Sequence, residues 1–148
     1  MNHITARGIS MRSTLLATLA VALVVLSSCS SAPETLPTDV QVTVEMKEYS
    51  VTLTPASTKA GTIKFGIRNV GTMEHEFEII KTDLAFDKLP IDVGQGKAKE
   101  DGLVKQIKSV LPNKVATITA NLEAGSYVIL CNVSGHYQLG MRAAFKVE

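Results

Sequence analysis

Cysteine and histidine are scarce in this chain of 148 residues: it has two of the first and three of the second. The paired Cys or His motifs of structural zinc sites are therefore missing. A charge surplus is missing too. The formal net charge is +1, and no basic run marks a nucleic-acid footprint. No internal repeat is visible, so a solenoid or array is excluded. What remains is a length that suits one domain with a modest core.

Residues 1–28 read as a targeting segment of the lipoprotein type. Arg7 and Arg12 form a basic start without any acid, and the apolar run 15–26 is too short for a comfortable membrane-spanning helix. It ends in Leu26-Ser27-Ser28-Cys29, which resembles a bacterial lipobox with Cys29 as the lipidated residue. An ordinary secretory signal cleaved nearby is the alternative, and Met1 or Met11 could be the start. Two of the fifteen basic residues lie in this leader, so the remainder carries thirteen basic against fourteen acidic residues. Residues 29–39, polar and containing Pro33 and Pro37, read as a tether that gives an anchored domain reach.

From Val40 the hydrophobic period becomes two. Val40, Val42, Val44 and Met46 alternate with polar residues, and Tyr49, Val51 and Leu53 continue after a break at Lys47-Glu48. Residues 62–70 form the next strand, with Ile63, Phe65 and Ile67 inward. In residues 74–82, His75, Phe77 and Ile79 share one face. Residues 87–99 read as loop. Residues 100–111 read as a short helix, because Leu103, Ile107, Val110 and Leu111 recur at helical spacing. Strands follow at 115–121, 126–131 and 142–147. The second of these is almost wholly apolar, hence central in its sheet. Seven or eight strands with turns between them predict an all-β fold: an antiparallel Greek-key β-sandwich with a short helical flap over one sheet edge.

The chemistry collects in one short stretch. Cys131, His136 and Met141 follow one another with four residues between successive donors. Singly, Cys131 reads as an inert buried thiol, His136 as a loop residue, Met141 as core filler and His75 as a core histidine. Jointly they are a thiolate, a thioether and two imidazoles. His₂Cys with a weak axial Met is the donor set of blue copper. With Cys29 lipidated, Cys131 is the one thiol left, with no disulfide partner.

On those residues the chain resembles the cupredoxins, the small blue-copper family that includes plastocyanin, azurin, auracyanin and sulfocyanin. The resemblance spans residues 40–148, the expected domain. It implies His75 from an early strand and Cys131, His136 and Met141 from the loop between the last two strands as ligands of one type 1 copper. Two positions depart from the family. Glu76 follows the first His where Asn is frequent, and Ser134 stands where Pro is common near the loop His. Glu74 and Glu76 flank His75, so their uncompensated charge is expected to lower the reduction potential. A binuclear copper centre would need a second loop cysteine, which residues 132–135 do not supply.

The implied function is that of an exported, lipid-anchored electron carrier at the periplasmic or extracellular face of a membrane. It would be a monomer and not an enzyme, docking transiently with redox proteins and binding no nucleic acid. His136 takes the role of electron exit, with Val133, Tyr137 and Leu139 as the docking surface. The rival readings are a copper scavenger or donor with the same site, and a structural sandwich in which Cys131 is idle.

Overall fold

Alternation of buried and exposed side chains builds the first strand, β1 (Val42–Lys47), with Val42, Val44 and Met46 turned into the core. In the computed structural model, residues 34–148 are described. The expected leader, Cys29 and the first part of the expected tether, residues 29–33, lie outside them. Next come β2 (Ser50–Thr54), β3 (Ser57–Thr58), β4 (Gly61–Asn69) and β5 (His75–Lys81). Two short strands, β6 (Ile91–Asp92) and β7 (Lys97–Ala98), pair only with each other. Then follow β8 (Leu103–Val110), β9 (Val115–Leu122), β10 (Gly125–Leu130), one helical turn α1 (His136–Leu139) and β11 (Arg142–Val147).

One sheet runs β2-β1-β4-β9 and the other β3-β11-β10-β5-β8. Phe65 of the first sheet meets Phe77 and Phe145 of the second with ring centroids 5.9 and 5.5 Å apart. Both distances fall in the favoured aromatic range. The expected β-sandwich is thus present, but its sheets are mixed: β1 pairs parallel with β4, and β11 parallel with β3. The β1–β2 hairpin occupies one edge of β1, β3 crosses to the other sheet, and β4 returns on the free edge in the direction of β1. Strand β10 is central as expected, between β11 and β5. Its Tyr127 and Ile129 enter the main core, while Val128 and Leu130 join a second apolar cluster with Ile80, Leu89, Ala98 and Tyr137. Leu89 and Ala98 bring that cluster beneath the 83–99 excursion, a flap that carries the short β6–β7 pair and not the expected helix.

The expected helix at 100–111 is instead the strand β8, antiparallel to β5. Two register shifts explain the misleading spacing. Between His75 and Phe77 the partners step from Val110 to Ile107, and between Ile79 and Ile80 from Lys105 to Leu103. Each shift leaves one extra residue on β8, which is the mark of a β-bulge. Val104, Ile107 and Val110 therefore reach the core at intervals of three, which imitates a helical face. Gly102, read as a weak helix start, has φ +85°, and a Cβ there would stand 2.3 Å from the Lys81 carbonyl oxygen. It is glycine because two backbones meet there.

Residues 34–39 lie against the domain. Glu34 accepts from Lys114 Nζ at 2.6 Å and from the Val115 amide at 3.1 Å, and Asp39 pairs with Lys64 at 2.8 Å.

Candidate metal centre

Three strand ends and one loop converge at one end of the sandwich. His75 opens β5, Cys131 follows the last residue of β10, and Met141 precedes the first residue of β11. Between them the backbone closes on itself: the Cys131 amide donates to the Met141 carbonyl, and the Met141 amide to that of His136, both at 3.0 Å. Gly135 (φ +82°) leads into α1 and Gly140 (φ +121°) leaves it. At Gly140 a Cβ would lie 2.8 Å from the Tyr49 carbonyl oxygen, so the β1–β2 turn can close on the ligand loop only where the side chain is absent.

The four expected donor residues are buried: His75, Cys131 and Met141 fully, and His136 to 4 % exposure. Cys131 Sγ lies 3.8 Å from His75 Nδ1 and 3.5 Å from His136 Nδ1. Donor atoms bound to one ion at about 2.0–2.3 Å, with wide angles between them, stand about 3.5–4 Å apart. The spacing therefore fits one ion shared by the three. The two imidazole centroids are 5.4 Å apart.

Burial pushes the Cys131 thiol up to about 11, and the nearby charges of Glu76 and Glu78 add to this, against hydrogen bonds from the Val133 and Glu76 amides. Burial, then the neighbouring His136, hold His75 below the usual histidine value, with Glu48 acting the other way. By itself the pocket thus favours a thiol and a neutral His75. A bound cation reverses this for the sulfur, which must be a thiolate to ligate. The Glu76 amide already donates to Sγ at 3.3 Å.

The flap braces the loop. Asn132 accepts from the Ala98 amide and donates to the Ala98 carbonyl, at 2.8 and 3.0 Å. Ser134 donates to the Gln95 carbonyl at 2.9 Å and Gln138 to that of Gly96 at 3.0 Å. Ser134 thus supplies by side-chain bonding some of the stiffness that a proline would supply through its ring.

Two expectations need correction. Glu76 is not an uncompensated charge, because Lys97 Nζ lies 3.2 Å from its carboxylate. Tyr137 is no docking residue. It is 3 % exposed, its hydroxyl accepting from the Leu89 amide at 2.9 Å and donating to the Phe86 carbonyl at 3.0 Å. Leu139 is exposed and Val133 half-buried.

Two residues near the site were not singled out from the sequence. Asn69 is fully buried, donates to the carbonyls of Met73 and Val110 and accepts from the Gly71 amide, clamping the approach to His75. Glu48 accepts from the amides of Thr72 and Met73. The signal available for Glu48 was the break in alternation at Lys47-Glu48. Nothing local distinguishes Asn69 from a turn asparagine.

No protein-family model and no curated protein matches the chain. Solved structures do. Dithionite-reduced auracyanin from the photosynthetic bacterium Roseiflexus castenholzii aligns at 23 % identity and TM-score 0.54, over 72 % of this chain and 94 % of that one. Auracyanin B aligns at 14 % and 0.55, over 72 % and 87 %. Rusticyanin from Thiobacillus ferrooxidans aligns at 18 % and 0.55, over 72 % and 76 %. The likeness establishes the fold: it is the β-sandwich that auracyanin and rusticyanin share.

Proposed function

We propose that the domain holds one copper ion through His75, Cys131, His136 and Met141 and carries single electrons between redox proteins. The observation that carries this reading is the buried set His75, Cys131 and His136, with one ligand atom of each all within 4.8 Å of one another. When bound, copper supplies a reversible one-electron couple.

The residues supply the rest. Cys131 and the two histidines come from a strand start, a strand end and a braced loop, so they are set before any ion arrives and need move little when its charge changes. Burial excludes water. The same burial favours a carrier over a copper donor, since exchange of the ion requires access that these donors do not offer. A rusticyanin of this fold is described as a copper protein, and the auracyanin above was solved in a reduced state, both in keeping with this reading.

His136 is the route out. The exposed Tyr49 stands edge-on to it with centroids 6.0 Å apart. Tyr49, Met73 and Leu139 are 47, 41 and 58 % exposed, and together with Val133 they form the apolar ground on which a partner docks briefly. Among the described residues no helix is long and apolar enough to cross a membrane. Membrane attachment is assigned to a lipid on Cys29, and export to the leader 1–28. The domain acts as a monomer.

The test is to add Cu(II) to the purified full chain and record visible and electron-resonance spectra. An intense thiolate-to-copper absorption is expected, absent in Cys131→Ser. A colourless protein, or colour that survives the loss of Cys131, sinks the reading. Zinc, which also accepts N and S donors, would give no such absorption. Reversible voltammetry without release of metal separates a carrier from a donor.

A further inference from the structure

The His75 ring presents Nδ1 to Cys131 and turns Nε2 the other way. Nε2 is buried and has no hydrogen-bond partner among the described residues. Facing it at 3.8 Å is Oε1 of Glu48, a residue at the β1–β2 turn, 27 positions earlier in the chain.

Glu48 is held firmly. Its Oε1 accepts from the Met73 amide at 2.7 Å, and also from the Thr72 amide and hydroxyl. The space it occupies exists because residue 71 is glycine: a Cβ there would lie 2.5 Å from Oε1. Hydrogen bonds from its own amide and from those of Met73 and Thr72 bring the carboxyl down to about 2, against the effect of burial. The bonds from Thr72 and Met73 are ones that Oε1 accepts, as a carboxylate does, and their donors are neutral groups.

We propose that Glu48 is a positioning residue that selects the Nε2–H tautomer of His75 and thereby keeps the Nδ1 lone pair aimed at Cys131. The alternative tautomer would set a bare Nε2 lone pair against an anionic oxygen and place the proton on Nδ1, where a metal must bind. Either consequence is unfavourable on electrostatic grounds. A movement of about 1 Å converts the present contact into a hydrogen bond of normal length. A carboxylate behind a ligating imidazole orients the ring and raises its basicity. The same anion, which among the described residues pairs with no Lys or Arg where Glu76 pairs with Lys97, favours the more highly charged state of a metal at Nδ1.

The selection of the tautomer needs no metal. Its use as a ligand arrangement rests on the copper reading above. The two are tested apart. Long-range ¹H–¹⁵N spectra of the metal-free full chain report the His75 tautomer directly. The wild type is expected as Nε2–H. Glu48→Gln, whose side-chain carbonyl still accepts, is expected to keep that form, and Glu48→Ala to shift a large fraction to Nδ1–H. In chelator competition with Cu(I), Glu48→Ala is expected to bind about 10- to 100-fold more weakly, and Glu48→Gln to lose less. Under voltammetry, Glu48→Gln is expected to have a higher midpoint potential than the wild type. Wild-type His75 found as Nδ1–H overturns the proposal, and so does a tautomer unchanged in a Glu48→Ala protein whose amide spectrum is otherwise native. Should wild-type protein fail to take up copper while the tautomer responds as stated, the copper reading falls and the role of Glu48 stands.

Discussion

The side chain of Asn132 pairs with the backbone of Ala98 as a neighbouring strand would, accepting its N–H and donating to its C=O. This buried amide joins the flap to the residue directly after Cys131. Asn132→Ala leaves both backbone groups of Ala98 without partners. A loss of about 2–3 kcal/mol is expected, read by chemical denaturation, with faster metal release in stopped-flow chelation. A loss below about 0.5 kcal/mol, the size typical of a surface substitution, would show that water replaces the pair.

Met141 is fully buried against the main core. Met141→Leu nearly conserves volume, so stability should change by less than about 1.5 kcal/mol. If Met141 holds copper as proposed, loss of its thioether would leave two imidazoles and a thiolate, a set that suits Cu(I). The absorption should therefore persist while the midpoint potential rises, since the axial ligand tunes the potential. An unchanged potential would place Met141 outside the copper coordination.

Glu78 is a fully buried carboxyl without a hydrogen-bond partner among the described residues. Burial first, then the Glu100 charge, push it up from 4.5 to about 7; Glu76 adds to this, while Lys108 and Asn132 oppose it. The folded protein thus keeps a proton on Glu78 that the unfolded chain releases near pH 4.5. Stability from this group is fully present below that value and falls as pH rises through about 7, by about 3 kcal/mol. Glu78→Gln should flatten the fall in that window. Denaturation series at pH 5 and pH 7.5 measure it, and an equal slope in both proteins would remove Glu78 as the cause.

Gly102→Ala would put a Cβ against the Lys81 carbonyl at a positive φ. The left-handed conformation alone costs about 1–2 kcal/mol, so a total of about 2 kcal/mol or more is expected. Hydrogen exchange should quicken along β5 and β8 before it does in β1 and β4. Uniform quickening would show that the β5–β8 edge does not open separately.

What the chain declared by itself was whatever depends on near neighbours and donor type. Alternation through Val42, Val44 and Met46, the apolar run of β10, and the order His75, Cys131, His136, Met141 were all legible, because side chains two apart share a strand face and thiolate, imidazole and thioether differ in softness. The tertiary structure alone decided the rest. The bulges of β8 come from its register with β5 and turned a strand into an apparent helix. The parallel pairing of β1 with β4, the burial of Tyr137 under Leu89, the pairing of Glu76 with Lys97 and the meeting of Glu48 with His75 each join segments far apart in the chain. Such contacts follow from how two sheets and a flap close upon one another, and residue spacing within one segment carries no record of that closure.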